Sequence, residues 1–349
     1  MLKRTLPALG LFFLAPLVAE FVLGNIPITA IFAWFTLAPL YGGGAILIRE
    51  LVRRRGWGYP SVVLLGLAYG VLEEGITTMS LFNPNYADQR LLDPGYIPAL
   101  GMGAPWTVFV LGLHTVWSIT VPIVLMESIS RRPREPWLGR VGLTLYGALF
   151  VAGLIATTAF SLSADPFIAK PAQFAGVVVA IVVLIALAVR VGNRSKREAA
   201  HELVGGAGGS GSEAAGSAKG VLGGVPPVRL AGMSGLVLSS AWMLSNDVVH
   251  SAWIDAGVML AIDVLAAVVL STWSRRAGWT PRHSVAVAGG ALLTYVWHAF
   301  PQSPIFAASH TADLIGNIVF GAAALGVLAL ALDRAHPTHP TQPVAPPAH

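Results

Sequence analysis

Glu73 and Glu74 are the residues whose type and position most directly suggest chemistry, because they lie side by side in the apolar stretch GLAYGVLEEGITTMSLFNPNY (residues 66–86). A histidine, His114, lies within the next apolar stretch, TVFVLGLHTVWSIT. An ionised group inside a membrane costs roughly 3 kcal/mol or more unless it is paired, so such residues are functional candidates by default. Together these three side chains could perform general acid–base catalysis, or could relay protons or cations. The alternative is a buried network that only stabilises the fold.

Histidine and carboxylate side chains are also zinc ligands, so a divalent metal is a candidate cofactor. The support for it is limited, since neither an HxxxH nor an HExxH spacing occurs in the sequence. The chain has no cysteine, which excludes disulfides, thiolate nucleophiles and cysteine-ligated metals.

The composition is that of a polytopic membrane protein. Of the 349 residues, 55% are hydrophobic and 11% are charged, whereas soluble domains carry roughly 25% charged residues. A membrane-spanning helix needs about 20 mostly apolar residues, and an open sheet cannot satisfy its backbone groups in lipid. We therefore predict an all-α, polytopic bundle of about ten transmembrane helices, the first of them an uncleaved helix rather than a signal peptide. The candidate spans are residues 6–24, 27–48, 60–81, 105–127, 139–162, 173–191, 230–250, 252–272, 284–300 and 312–332.

The basic residues predict the orientation of the bundle. With the N terminus inside, all of the 22 lysines and arginines except Arg90 and Lys170 fall on the cytoplasmic side, as the positive-inside rule requires. We therefore expect both termini in the cytoplasm and a multi-pass protein of the plasma (inner) membrane. Because this topology accounts for the net charge of +5, no nucleic-acid partner is expected. The expected partner is the lipid bilayer, with a membrane-embedded peptide or a small solute as candidate ligands; the oligomeric state stays open.

The helices are predicted to fall into two halves. Residues 1–192 form a six-helix membrane half and residues 230–333 a four-helix half. Between them, residues 193–229 include GGAGGSGSEAAGSAKG, which is typical of a flexible Gly/Ser/Ala-rich linker on the cytoplasmic side. The Pro-rich residues 334–349 are predicted to be a disordered tail.

The topology places the two glutamates and the histidine at matching depth. At 1.5 Å per residue, Glu73 and Glu74 lie about 12 Å below the outer end of the third span and His114 about 13 Å below that of the fourth. Ser118 lies four residues after His114, on the same helix face. Because adjacent residues on a helix point about 100° apart, we expect one glutamate to face His114 while the other pairs elsewhere or stays protonated.

Further polar residues near this depth, or near the outer ends of later spans, are predicted to support the site. They are Ser118, Asn246, Asp247, His250, His298, Asp313 and Asn317. Spacings of four and three residues predict that His250 pairs with Asn246 and Asp247. The alternatives are solvation at the interface for His298 and Asp313, and a helix-end cap with a local ion pair for Asp247 and His250.

The longest outer loop, Asn83 to Pro105, directly follows the span that carries the glutamates. Its Asn-Pro and Asp-Pro-Gly sequences are turn formers. Long loops beside polar sites are often lids or binding loops. An interfacial connector with tyrosines at headgroup depth is the other interpretation, and the sequence leaves the two open.

The segments EEGITT and FVLGLH resemble motifs of the CPBP family, the CAAX-processing and bacteriocin-processing intramembrane proteases. Glu73 and Glu74 match that family's glutamate pair, while Thr78 stands where the family has arginine. Phe109 and His114 are similar to its Phe–His motif, with one additional residue between them. The resemblance implies a glutamate-activated water that attacks a peptide carbonyl, with histidine stabilising the oxyanion.

Three functions remain open at this point. The first is an intramembrane hydrolase of the peptidase type, with Glu73, Glu74 and His114 as catalytic residues. The second is a proton- or cation-coupled transporter or permease in which the same groups form a relay. The third is a non-catalytic subunit of a membrane assembly.

Overall fold

A computed structural model describes residues 2–207 and 224–335 of the chain, and these residues form ten helical rods. One rod consists of α4 and α5 joined end to end. The helices are α1 (Leu2–Pro16), α2 (Ala33–Arg55), α3 (Tyr59–Leu72), α4 (Ala104–Leu113), α5 (Val121–Ile129), α6 (Arg140–Ala164), α7 (Pro171–Ala207), α8 (Val228–Val248), α9 (Ala252–Ser274), α10 (Pro281–His298) and α11 (His310–Arg334). The described strands are β1 (Tyr96–Ile97) and β2 (Met102–Gly103), an antiparallel pair. The all-α, polytopic fold predicted from the sequence is confirmed.

Three of the rods contain a π-helical turn, in which the backbone bonds skip one residue more than in an α-helix. The turns are Leu17–Phe21 at the end of α1, Glu73–Thr77 at the end of α3, and His114–Thr120 between α4 and α5. Such turns are rare, and they occur frequently at functional sites. Each of these three carries at least one titratable side chain.

Seven helices of the described chain are long and apolar enough to cross a membrane, judged by length and composition. They are Ala33–Arg55, Ala104–Ile129, Arg140–Ala164, Pro171–Glu198, Val228–Val248, Ala252–Ser274 and His310–Arg334. The first two are 61% and 56% buried inside the protein, whereas α6 and α7 are 6% and 11% buried. The α2 and α4–α5 rods therefore lie centrally, and α6 and α7 present most of their surface to lipid.

Glycines in α2 allow the central helices to approach closely. A Cβ atom on Gly42 would lie 2.1 Å from the carbonyl oxygen of Phe12 in α1. A Cβ atom on Gly44 would lie 2.5 Å from the ring of Tyr69 in α3. Small residues at such crossings are the usual means of close helix packing in membranes, and here they bring α1 and α3 to opposite sides of α2.

Aromatic packing joins the first six rods to the last four. Trp117 stacks on Tyr295 of α10 with ring centroids 4.5 Å apart, and its indole N–H donates to the carbonyl of Ala291 at 2.8 Å. Both rings are almost completely buried. The rod that carries His114 is thereby held against α10.

A buried ion network closes the end of the bundle at which α2 and α5 terminate. Arg49 contacts Glu50 at 2.8 Å and Glu127 at 3.1 Å, and Arg53 contacts Glu127 at 2.5 Å. Trp137 covers the guanidinium of Arg49 at 3.5 Å and donates its backbone N–H to Glu50 at 2.7 Å. Because the charges are paired and hydrogen-bonded, this network ties α2, α5 and the following loop together.

The outer loop is anchored to the helices beside it. Asn83 donates to Asp165 at the end of α6 at 2.8 Å, and Leu92 is buried against Gly103. Burial raises the pKa of the Tyr86 phenol well above its ordinary value, and the nearby Glu74 raises it further. Tyr86 therefore lies close enough to Glu74 for the two groups to interact electrostatically.

The predicted linker differs from the structure at its N-terminal end. Helix α7 continues to Ala207, so the residues from 193 to 207 are helical. The sequence there contains good helix formers, and Arg194 pairs with Glu198 at 2.8 Å with i,i+4 spacing. The remainder of the predicted linker up to residue 223, and the predicted tail from residue 336, lie outside the described residues.

Candidate functional site

Glu74 and His114 form the centre of a buried polar cluster. The His114 Nε2 atom lies 2.7 Å from Glu74 Oε1. The other carboxylate oxygen accepts hydrogen bonds from the Thr78 hydroxyl at 2.9 Å and from the Ser80 hydroxyl. The Ser80 hydroxyl in turn accepts from the indole of Trp106 at 3.3 Å. Both oxygens of Glu74 are thus occupied, and the imidazole of His114 is held in a fixed orientation.

Glu73 lies on the other side of the imidazole, in a very different environment. Its Oε2 atom is 3.3 Å from His114 Nδ1, yet it has no hydrogen-bond partner of acceptable geometry among the described residues. The hydroxyl of Tyr69 faces Glu73 and is close enough to interact with its carboxylate, although neither atom makes a hydrogen bond of ordinary geometry among the described residues. The Nδ1 atom is shared with the Ser118 hydroxyl at 3.2 Å. Glu73 is therefore held less tightly than Glu74, by His114 at 3.3 Å and by a poorly aligned Tyr69 hydroxyl.

The sequence predicted that only one glutamate would face His114, and the structure corrects this expectation. Both carboxylates approach the ring, one at each nitrogen. The prediction assumed the angular spacing of an α-helix, whereas residues Glu73–Thr77 form a π-helical turn, which changes the direction of the side chains. The predicted approach of a glutamate to His114 is present in the structure, and Ser118, predicted on the same helix face as His114, contacts the imidazole.

A third carboxylate extends the cluster to α1. Tyr41 donates to Glu20 Oε1 at 2.5 Å, and Asn25 donates to Glu20 Oε2 at 2.6 Å. The ring of Tyr41 stacks on His114 with centroids 5.9 Å apart, and Tyr69 meets His114 edge-on at 6.0 Å. The sequence alone does not connect Glu20, Tyr41 or Tyr69 to the site.

The signals for these missed residues were weak. Tyrosines are ordinary residues in membrane helices. Glu20 and Tyr41 are more than 20 residues apart and lie on different helices, so no spacing within a helix predicts their contact. The spacing of five residues between Glu20 and Asn25 would have been informative only with the π-helical turn known, since Asn25 lies just beyond it.

Close helix contacts keep the cluster buried. The exposed fractions of Glu73, Glu74 and His114 are 3%, 5% and 6%. A Cβ atom on Gly70 would lie 3.1 Å from the Cβ of His114, and one on Gly75 would lie 2.6 Å from Val177 of α7. The titratable groups thus lie inside the protein at a depth where the surrounding medium is hydrocarbon.

The same three side chains could hold a divalent metal ion. One ligand atom from each of Glu73, Glu74 and His114 can be chosen so that all lie within 4.8 Å of one another. Two carboxylates and an imidazole are acceptable ligands for zinc. An ion would take the place of the Glu74–His114 hydrogen bond, and Glu73 already has an unpartnered oxygen available.

The other predicted supporting residues do not contact this cluster within the described chain. His250 was expected to pair with Asn246 and Asp247, but α8 ends at Val248 and His250 is exposed beyond it. Asp247 instead contacts His298 of α10 at 3.0 Å, and Asn246 is exposed. Because the helix ends two residues before His250, the predicted helical spacing does not apply there.

Two further predicted residues lie on α11. Asn317 is buried and donates to the carbonyl of Ala299 at 2.9 Å, so it ties α11 to the end of α10. Asp313 is half-buried, and its Oδ1 atom has no hydrogen-bond partner among the described residues. Asn317 and the Asp247–His298 pair therefore connect the later helices.

The helical bundle with its buried carboxylate–histidine cluster defines a multi-pass integral membrane protein. The chain belongs to an uncharacterized membrane protein family, whose profile matches residues 9–331. That range contains the complete cluster. No curated protein and no solved structure matches the chain. The family match names no reaction and gives no support to the resemblance to the CPBP proteases, so a hydrolytic activity remains a proposal.

Proposed function

We propose that the protein is an intramembrane hydrolase of the peptidase type, located in the plasma membrane, with Glu73 as its general base. The observation that carries this proposal is the asymmetry of the glutamate pair. Glu74 is fully hydrogen-bonded, whereas Glu73 Oε2 is buried without a hydrogen-bond partner, 3.3 Å from His114. An unpartnered buried oxygen calls for an explanation such as a missing water or ligand.

Each residue has a distinct role in the proposed reaction. Glu73 takes a proton from a water molecule, whose oxygen then forms a bond to the carbonyl carbon of a membrane-embedded peptide. His114, held in place by Glu74, stabilises the negative charge that develops on the carbonyl oxygen, and the Tyr69 hydroxyl is a second available donor. The C–N bond then breaks, and Glu73 returns the proton to the leaving amine. Glu74 acts as a positioning residue in this scheme.

The experiment compares the full-length chain with its Glu73→Gln variant without assuming a substrate. Membranes from cells producing either protein at equal levels are profiled for new peptide N termini by mass spectrometry. We expect a set of termini that appears with the wild-type chain and disappears with Glu73→Gln. The Glu135→Gln variant, altered at an exposed residue of the loop after α5, is the matched control and should keep those termini. Identical profiles for wild type and Glu73→Gln would exclude the hydrolase proposal.

A specific observation also favours a second function, a proton- or cation-coupled transporter. Glu20 and Tyr41 extend the cluster, so that titratable groups from four rods form a connected series that ends at Glu74. A relay needs such a series, whereas hydrolysis needs only the part around Glu73. In proteoliposomes containing a pH-sensitive dye, a transporter would acidify the lumen under an imposed gradient. The Glu20→Gln variant would abolish this flux while leaving the peptide termini unchanged.

A further inference from the structure

A second polar feature lies away from the glutamate cluster, in a cavity of about 130 Å³ between the rod of α4–α5 and helices α8, α9 and α10. The walls are mostly apolar. The serines in the wall have partners already: Ser234 donates to the carbonyl of Leu230 at 2.9 Å, and Ser239 bonds to Thr294 at 2.6 Å. Two polar groups of the lining are less well satisfied, the indole N–H of Trp242 and the carboxylate of Asp263.

Trp242 is 97% buried and rigidly held, yet its Nε1 atom has no hydrogen-bond partner among the described residues. Its ring stacks on Phe109 with centroids 5.2 Å apart and an angle of 8° between the planes. Gly112 makes room for the ring, because a Cβ atom there would lie 2.5 Å from it. A buried donor without a well-formed hydrogen bond costs up to roughly 1–3 kcal/mol, so an indole clamped in this orientation favours a ligand whose acceptor is better aligned than the carboxylate of Asp263.

Asp263 lies near the middle of α9, about 16 Å from either end at 1.5 Å per residue. Its side chain is exposed, on a helix whose neighbouring residues Val264 and Leu265 face the lipid. No Lys, Arg or His side chain pairs with it in the described part of the chain. The Trp242 indole faces it, without making a hydrogen bond of ordinary geometry. The carboxylate therefore lies at the mouth of the cavity, at a depth where an unpaired acid is strongly unfavourable.

These two groups restrict the chemistry of a ligand. The indole is a donor only, and a carboxyl group accepts when ionised or both donates and accepts when protonated. A hydroxyl group satisfies both at once, since it donates to Asp263 and accepts from Trp242. A bare cation does not fit, because the indole N–H points a positive dipole at it and Asp263 is the single carboxylate of the lining.

The size and position of the cavity restrict the ligand further. An apolar cavity of about 150 Å³ accepts a benzene ring, so about 130 Å³ suits a single six-membered ring. The walls provide the aromatic faces of Trp117 and Trp242. Because the exposed Asp263 marks the opening, a ligand enters from the hydrocarbon phase rather than from water.

We propose that this cavity binds the hydroxylated ring of a lipid-soluble small molecule, such as a phenol or quinol headgroup, through Asp263 and Trp242. The site is separate from the Glu73–Glu74–His114 cluster and does not depend on the function proposed for that cluster.

The test uses the full chain in lipid nanodiscs and a fluorinated probe, 2-fluoro-4-pentylphenol, observed by ¹⁹F NMR. The reference is the same ring without its hydroxyl, 1-fluoro-3-pentylbenzene. We expect saturable binding of the phenol above the level of empty nanodiscs, and binding of the reference at least tenfold weaker. Equal binding of the two compounds, or no saturable binding of the phenol, would overturn the proposal.

Variants of the two polar groups then locate the site. Asp263→Leu and Trp242→Phe should each weaken phenol binding at least tenfold, whereas Asp263→Asn, which can still accept and donate, should stay within about threefold of wild type. Val264→Ala, a lipid-facing neighbour on the same helix, is the matched control and should bind normally. Gel filtration and circular dichroism establish that each variant is folded. Unchanged affinity in folded Asp263→Leu and Trp242→Phe proteins would refute the assignment.

Discussion

The two adjacent glutamates should contribute very differently to stability, although they are identical in type and burial. Replacing Glu74 with leucine removes three hydrogen bonds, from His114, Thr78 and Ser80. In membrane proteins an interhelical hydrogen bond contributes about 0.6 kcal/mol on average, because the unfolded chain in lipid also finds partners. Three such bonds give a loss of about 2 kcal/mol. Glu73→Leu removes only the longer contact of Oε2 with His114 at 3.3 Å, so its loss should stay below about 0.6 kcal/mol.

The assay is reversible unfolding of each full-length variant in mixed detergent and SDS micelles, followed by circular dichroism. The two leucine variants have the same composition and the same burial, so hydrophobic effects largely cancel in their comparison. We expect the Glu74→Leu protein to unfold at a clearly lower SDS fraction than Glu73→Leu. Equal destabilisation by the two substitutions would refute the asymmetry on which the role of Glu73 is based.

Three further predictions concern the scaffold. Gly42→Ala should destabilise the protein by about 1–3 kcal/mol, because the new methyl group would meet the backbone of α1. Gly147→Ala on α6 is the control and should be close to neutral in the same unfolding assay, because its new methyl group would have no neighbouring atom within 4 Å. Glu50→Leu should lower the free energy of unfolding by about 1–3 kcal/mol, since it removes one of the two carboxylates that pair with buried Arg49 and leaves the buried Trp137 N–H without its acceptor. A loss below about 1 kcal/mol would contradict the structural role of this ion network. Because the chain lacks cysteine, single cysteines introduced at the exposed positions Tyr96 and Glu135 test the predicted orientation of the helices in the membrane. A membrane-impermeant maleimide added to intact cells should label the cysteine at position 96 and not the one at position 135.

The positions of the helices could be predicted from the sequence, because a membrane-spanning helix requires an apolar segment of a characteristic length. The ten candidate spans correspond to the ten rods, and the meeting of Glu74 with His114 follows from equal depth on consecutive antiparallel helices. Helix ends were predicted less well. The predicted linker began at residue 193, although α7 continues to Ala207. The span was predicted from its apolar residues, and the polar residues that continue the helix beyond the span are not detected in that way.

The contacts that were missed depend on tertiary packing or on local departures from α-helical geometry. Tyr41 reaches Glu20 because small residues in α2 let α1 approach closely, and no pairwise spacing in the sequence reports that. Asp247 was expected to pair with His250, but it meets His298 instead, since the chain leaves the helix after Val248. The approach of both glutamates to one imidazole requires the π-helical turn at Glu73–Thr77, which composition does not predict.

The protein contains its own reference for what a purely structural network of buried charges looks like. In the ion network between α2 and α5, the carboxylate oxygens of Glu50 and Glu127 all accept hydrogen bonds. None of them is among the unsatisfied buried atoms of the described chain. Such complete pairing is what stability requires, because an open buried group is unfavourable.

The outer cluster departs from that pattern at one place. Glu74 resembles the structural carboxylates in having both oxygens hydrogen-bonded, whereas Glu73 Oε2 and the Tyr69 hydroxyl face each other beside His114 without a hydrogen bond of ordinary geometry among the described residues. If the cluster served stability alone, a leucine or a glutamine at position 73 would be about as favourable as an acid whose contact with His114 is 3.3 Å long. The position of the unsatisfied atoms therefore favours Glu73, rather than Glu74, as the group that meets a water molecule, a substrate or an ion.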